Sequence, residues 1–312
     1  MRIEYHRTLI ADRVRNQAFH DALARVIRRG ETTVADIGAG TGLIGLMAAK
    51  LGAREVFLYE AAEVAGVAAL VLKANRARAC QLIPGHSTEM DDPPRADVVV
   101  SETLGNYALE ENIIATLADA ERRHLKPGGV MIPSRIRQLA APVISDRFHR
   151  ELTVWDDVGF GIDLSAARTM SLNNVYVRTF APADLLDGGA TAKVWDTVRL
   201  GTDRRGARKG EADWTVDRPT TIYGFAYWWE AELVEGVVLS TAPDAPRTHW
   251  EQLYFPLLAP LVLAAGEGLR VTLRSRSSEE AGTHLGWTAV HLARDGTSKG
   301  RQAMDLDKGW IP

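Results

Sequence analysis

The stretch VADIGAGTGLIGLMAAKLGAREVFLYE, residues 34–60, decides the fold. It leaves a short apolar run, Thr33 to Ile37, through three glycines (Gly38, Gly40, Gly42) and enters an apolar helix from Leu43 to Leu51. A second apolar strand, Glu55 to Glu60, closes it. Strand, glycine turn, helix and strand in that order make a βαβ unit with parallel strands.

Working outward, the same alternation continues. A helix over 61–77, strands at Gln81–Gly85 and Ala96–Ser101, a helix over Asn112–His124 and a strand at Gly129–Ile132 follow. Upstream, Leu9, Ile10, Val14, Ala18, Leu23, Val26 and Ile27 recur at helical spacing, so residues 9–28 read as one amphipathic helix. The fold class is therefore α/β, with a doubly wound Rossmann-like domain over residues 1–133. After Pro133 the segments become β-branched and aromatic, as in Thr220–Glu232, Val237–Thr241, Leu269–Ser275 and Gly286–Ala293. They predict an antiparallel β-barrel-like domain over 134–312. Between them, about 155–190, helical patches broken by Gly159, Gly161, Pro182 and Gly188-Gly189 read as an inserted arm or lid.

Composition limits the function. A net charge of −3 argues against a general nucleic-acid footprint. The single cysteine, Cys80, admits neither an intramolecular disulfide nor a cysteine metal cluster. The charged N-terminus lacks a secretory pattern, and the longest apolar stretch, Phe255 to Ala265, is short and carries two prolines. These features lead us to expect a cytoplasmic protein without membrane or nucleic-acid partners.

Glycines after the first strand of such a sheet let backbone approach a ligand, and the following helix offers free N–H groups. Glu60, ending the second strand, stands where an acid takes ribose hydroxyls, and Asp36 is expected to face the same pocket. Gly40-Thr-Gly-Leu-Ile-Gly45 also fits the dinucleotide pattern, so these residues alone leave a nicotinamide cofactor open.

Residues 34–60 resemble the first motif of class I methyltransferases, in particular the protein arginine methyltransferases. Three further segments carry the likeness. Ser101-Glu-Thr-Leu-Gly-Asn-Tyr-Ala-Leu-Glu-Glu111 is similar to the family's double-Glu loop, with Glu102 and Glu111 nine residues apart. Thr248-His-Trp-Glu-Gln252 is similar to its Thr-His-Trp loop, and Leu9-Ile-Ala-Asp-Arg-Val-Arg15 to the helix before the first motif. Val154 to Asp163 resembles the start of its dimerisation arm.

The resemblance implies an S-adenosyl-L-methionine-dependent enzyme that methylates an arginine guanidinium of a protein or peptide. A free arginine or small guanidino compound is the alternative substrate, and a non-catalytic partner subunit the alternative role. It implies that Glu102 and Glu111 hold the guanidinium, that Asp12 pairs with His249, and that Trp250 walls the substrate side. Arg15 would meet the methionine carboxylate of the cofactor. Glu60, Asp36, Gly38, Gly40 and Gly42 would line its site, and Ser87, Thr88 or Glu89 would contact adenine. The arm implies a homodimer. Two carboxylates suit this chemistry because a guanidinium, with a pKa above ~12, is a poor nucleophile that needs orienting through its planar fork.

The chain departs from the family at Thr103, where an aromatic or proline is common, at Asn106, often tyrosine, and at Leu9, often methionine. The residues before Leu9 are too few for the family's additional Tyr-Phe-x-x-Tyr helix, so an open cofactor lid is expected, with Tyr5 and His6 as its remnant.

Overall fold

A computed structural model describes residues 3–278 and 282–308. Two helices, α1 (Ile3–Ala11) and α2 (Arg13–Val26), occupy the region read as one. The break is at Asp12, whose backbone is extended at φ −76° and ψ 93°. Its carboxylate accepts the Arg15 N–H at 2.9 Å and so caps α2. A one-residue interruption leaves the apolar period intact, which is why periodicity misses it.

Then follow β1 (Thr33–Ile37), α3 (Leu43–Leu51), β2 (Glu55–Glu60), α4 (Ala65–Ala74), β3 (Cys80–Pro84), β4 (Ala96–Ser101), α5 (Ile113–His124) and β5 (Leu125–Ile132). The five strands form a parallel sheet in the order β3-β2-β1-β4-β5. Every residue of β1 is buried, as a strand covered on both faces must be. From β1 the chain builds outward through β2 and β3, then crosses to the other side for β4 and β5. That reversal opens a crevice beyond the carboxyl ends of β1 and β4, where an open α/β sheet binds its ligand. Ser101 Oγ donates to the Ile37 carbonyl at 2.8 Å and fixes the two strand ends together.

The second half contains β6 (Arg135–Val143), β7 (Tyr176–Arg178), β8 (Lys193–Arg199), β9 (Ala207–Thr215), β10 (Thr220–Val234), β11 (Val237–Ser240), β12 (Gln252–Leu263), β13 (Gly268–Ser278), β14 (Gly282–Leu292) and β15 (Ser298–Asp305). One sheet runs β7-β12-β10-β6-β8 with β11 beside β10, and the other β15-β14-β13-β9. Trp287 joins the two sheets. Its ring meets Phe255 edge-on at 5.2 Å and its indole N–H donates to the Pro256 carbonyl at 2.8 Å. A single apolar core runs from Val34 and Val99 to Trp229, Phe255 and Trp287, with no break where the parallel sheet hands over to the antiparallel ones.

The arm stands on a smaller cluster that includes Phe148, Leu152, Leu172, Phe180 and Tyr254. Its outer surface exposes apolar side chains among charged ones: Val154, Ile162 and Met170 are exposed beside Asp156, Asp157 and Asp163, and Phe160 is 96% exposed.

Candidate active site

A cavity of about 350 Å³ fills the crevice beyond β1 and β4. Gly38 (φ +71°) and Gly40 (φ +57°) leave β1 in left-handed conformations that other residues rarely adopt. An added Cβ would lie 2.8 Å from Thr103 Cγ2 at Gly38 and 3.1 Å from the His6 ring at Gly40, so either neighbour would have to shift. Gly42 (φ +84°) precedes α3 and packs against Leu58, so its role is to make the turn.

Glu60 reaches the cavity from the end of β2. One carboxylate oxygen accepts the Gly40 N–H and the other the Ala62 N–H, each at 2.7 Å. Each oxygen keeps a free lone pair, which suits a pair of vicinal hydroxyls. Asp36 lies elsewhere than expected. It is 1% exposed, accepts the Gly45 N–H at 2.9 Å beneath the loop, and does not line the cavity. Burial, opposed by that hydrogen bond and by Arg15, pushes its pKa up to about 7.

Glu102 follows β4 at the floor of the crevice, with its side chain 3% exposed. Arg15, from α2, holds it through Nε at 2.5 Å and also through Nη2. Arg15 Nη1 donates to Asn16 at 2.7 Å. A guanidinium has five N–H donors, so the side chain that orients Glu102 retains two for a carboxylate in the cavity. Burial pushes the Glu102 carboxyl upward while Arg15 pulls it back, and the charge of Glu111 adds to the upward shift.

Glu111 lines the same cavity from the start of α5. It and Asn112 are both left-handed, at φ +53° and +55°, so Glu111 ends a turn and the helix starts only at Ile113. Such a conformation is strained for glutamate, and strain of this kind gathers at functional sites. Desolvation and the neighbouring Glu110 raise its pKa. Glu110 faces inward, accepting the Tyr107 N–H at 2.8 Å, and so braces the loop.

Asp12 and His249 meet as the resemblance implied. Asp12 accepts both the backbone N–H and Nδ1–H of His249, each at 2.7 Å. A carboxylate only accepts, so the ring proton sits on Nδ1 and Nε2 is a bare acceptor. Burial lowers the His249 pKa against the pull of Asp12. Neither residue lines the cavity; they stand behind Arg15 and Glu102. Trp250 is likewise set back. It is 4% exposed, its ring lies against His249 at a 40° tilt with centroids 3.9 Å apart, and its indole N–H donates to the Leu104 carbonyl at 2.9 Å. It therefore supports the double-Glu loop and does not wall the cavity.

At the opposite end, Gly85, His86 and Ser87 line the cavity, whereas Thr88 and Glu89 are exposed outside it. The hydroxyl of Thr88 turns back to His86 Nδ1 at 2.7 Å.

Sequence reasoning gave no ligand role to His6. Its ring lies against Gly40, is 7% exposed, and leaves Nε2 without a partner on the cavity wall. His6, Leu9 and Ile10 all line the cavity, so α1 covers it where an open lid was expected. Their i, i+3, i+4 spacing was the available signal. Among the described residues no group of three His, Cys, Asp or Glu side chains is placed to share a metal ion.

This chain is similar to known proteins along nearly its whole length. Residues 138–288 match the arginine methyltransferase oligomerization subdomain, and residues 20–157 match the ribosomal protein L11 methyltransferase family. An arginine N(omega)-methyltransferase of Streptomyces achromogenes subsp. streptozoticus is 32% identical over 282 residues, covering 86% of this chain and 75% of the relative. A probable protein arginine N-methyltransferase 6.1 of Oryza sativa subsp. indica is 27% identical over 318 residues, covering 89% and 82%. The fold is that of Arabidopsis thaliana protein arginine methyltransferase 10, with a TM-score of 0.81 at 22% identity over 98% of both chains. A Trypanosoma brucei PRMT1 enzyme–prozyme complex gives a TM-score of 0.83 at 22% identity, over 96% of this chain and 97% of that one. The chain thus belongs to the protein arginine N-methyltransferase family, class I enzymes that use S-adenosylmethionine.

Proposed function

We propose that this enzyme methylates an arginine guanidinium, of a protein or peptide, held between Glu102 and Glu111. The observation that carries the reading is that buried Glu102 already holds a guanidinium, that of Arg15, on the wall of a cavity that Glu111 also lines. Two carboxylates in partial burial repel each other, and a cation between them removes that cost.

The cavity residues fit the cofactor. Glu60 keeps lone pairs for ribose hydroxyls, Arg15 keeps donors for the methionine carboxylate, and the glycine loop admits close approach. When bound, S-adenosylmethionine supplies an electrophilic methyl on sulfonium. Glu102 and Glu111 orient the guanidinium fork and draw its positive charge to the nitrogens they touch, which leaves electron density on the attacking nitrogen. Once methylated, that nitrogen would have to lose a proton. A carboxylate that touches the guanidinium would take that proton first, and His249 Nε2, set back behind Arg15, is the acceptor we assign beyond it. Asp12 holds its tautomer and stabilises the imidazolium that forms.

The test is mass spectrometry of products after incubation with S-adenosylmethionine and a panel of arginine peptides, free arginine and small guanidines. Methylation of no guanidine at all, with cofactor bound, would refute the reading. Free arginine is the second reading, supported by the name of the Streptomyces relative and its 32% identity. Exclusive turnover of free arginine would establish it.

We also infer a homodimer formed through the arm. Support comes from the matched oligomerization subdomain and from the exposed apolar side chains of the arm, Val154, Phe160, Ile162 and Met170.

A further inference from the structure

An open groove of about 750 Å³ runs between α2 and the hairpin that joins β10 to β11. On the helix side, Arg13, Gln17, Asp21 and Arg25 follow one another at every fourth residue, so they form a single stripe, with Val14 and Ala18 beside it. Val237 and Val238 stand opposite. The groove shares no lining residue with the cofactor cavity, which α2 meets through Arg15 on another of its faces.

β11 is an edge strand. Among the described residues it pairs with β10 and with no other strand. The Thr241 N–H donates to the Trp229 carbonyl at 3.0 Å, so two residues earlier Leu239, opposite Ala231, also turns its backbone groups toward β10. Val238 and Ser240 therefore turn theirs away. Glu232, opposite Val238, agrees with this phase, because its carbonyl accepts the Ser134 N–H at 2.9 Å on the β6 side of β10. Neighbouring residues of a strand point to opposite faces, and Val237 is 8% exposed where Val238 is 57% exposed. A groove that both of them line follows the edge of the strand.

An unpaired edge beside a concave surface is a template for one more strand. The charges of α2 define what that strand carries. Arg13 has no hydrogen bond or ion pair among the described residues, and Arg25 gives one N–H to the Glu235 carbonyl at 2.6 Å. Asp21, between them, accepts from Gln17 Nε2 at 2.8 Å. Helix rise sets the two arginines ~18 Å apart, the reach of about five or six extended residues. We propose that this groove docks an extended segment of a second protein, which adds a strand to the open edge of β11 and sets carboxylates against Arg13 and Arg25. A lysine or arginine ahead of the second carboxylate meets Asp21, and apolar side chains between them lie on Val14, Ala18 and Val238. The proposal is independent of what the enzyme methylates.

Calorimetry with the acetylated, amidated peptide Asp-Val-Thr-Val-Lys-Val-Asp tests it. The unmodified enzyme should bind this peptide with a Kd of about 100 μM at low salt, and about tenfold more weakly when both aspartates are replaced by asparagine. Val238→Pro removes an outward N–H and nothing from the ladder with β10, so binding should fall below detection. Arg13→Glu combined with Arg25→Glu alters only exposed side chains of α2. It should weaken binding by about tenfold or more at a little-changed melting temperature, and it decides the matter even where the proline disturbs β11. Saturating S-adenosylhomocysteine or an excess of an arginine peptide should leave the affinity unchanged. No binding to the unmodified enzyme, or equal binding to both variants, overturns the proposal. Displacement by the arginine peptide would assign the groove to substrate, and a change of mass in light scattering on Arg13→Glu with Arg25→Glu would assign it to a second copy of this chain; either also overturns it.

Discussion

At the scale of single residues, the site is governed by charges that burial makes expensive. Burial raises the Glu102 pKa and Arg15 opposes that rise, while Arg15 is tolerated inside because Glu102 and Asn16 occupy donors of its guanidinium. Glu102→Gln and Glu111→Gln keep shape and remove charge. Each should lower methyl transfer by about 10²–10³-fold, the usual loss when one preorganised electrostatic group is deleted. Calorimetric affinity for S-adenosylhomocysteine should change by less than about fivefold; either variant turning over at the unmodified rate would remove the proposed clamp. Asp36 presents a different consequence of burial. Its folded pKa of about 7 lies above the ordinary value of 3.8, so the folded protein binds more protons than the unfolded chain between those pH values. Its contribution to stability is therefore complete below pH about 4, falls as pH rises, and is lost above about 7. A shift of this size corresponds to on the order of 4 kcal/mol. Urea unfolding at pH 5 and pH 8 should show that decline, and Asp36→Asn should flatten it. The buried histidines with lowered pKa values shift stability in the opposite sense, so the difference between the two proteins is the quantity to measure.

At the scale of elements, Asp12 does the work of a joint. It ends α1, caps α2 through the Arg15 N–H, and receives two hydrogen bonds from His249, 237 residues away in sequence. Asp12→Ala should therefore destabilise the protein by about 3 kcal/mol, combining a lost cap with a buried donor left unpaired. Asp12→Asn, which keeps one good acceptor, should cost about half as much, and equal midpoints for the two variants in urea would show that the cap does not matter. The parallel sheet was legible because its strands are short and largely apolar and three of them, β1, β2 and β4, are followed by a helix-period segment, a local pattern. The strands β7, β8, β9, β12 and β15 were not read: β7 is three residues inside the arm, β9 and β15 are largely solvent-facing and polar, and β12 carries two prolines within an apolar run. The glycine loop and Glu60 were readable as a ligand site because their meaning is set within one βαβ unit. Glu102, Glu111 and His249 were not readable that way. Their chemistry comes from contacts between distant segments, and only the resemblance to a family named them. Asp36, Thr88 and Glu89 mark its limit, since a position beside a pocket in sequence does not decide which way the side chain points.

At the scale of the whole molecule, the unbalanced feature is the arm. Phe160, 96% exposed, sits at a left-handed φ of +57° between Gly159 and Gly161, and Val154, Ile162 and Met170 extend the apolar surface around it. Monomers rarely display such a patch, and ordering an aromatic side chain there has no internal return. The cofactor half carries its own exposed apolar residues: Ile3, Tyr5 and Ile10 on α1, and Val67 and Leu70 on α4. An interface in which each arm meets the partner's α1 and α4 would cover both sets twice and close with two-fold symmetry. That geometry reaches the chemistry, because α1 also lays His6 and Leu9 against the cofactor cavity. Phe160→Asp combined with Ile162→Asp places two charges in the interface while touching no core residue. Light scattering should then show the monomer mass where the unmodified protein should show the proposed dimer, with unchanged circular dichroism. Affinity for S-adenosylhomocysteine should drop by about tenfold, because α1 loses the partner that holds it down. A variant that remains dimeric would place the interface elsewhere. A monomeric variant with full cofactor affinity would show that α1 closes the cavity without help from a second subunit.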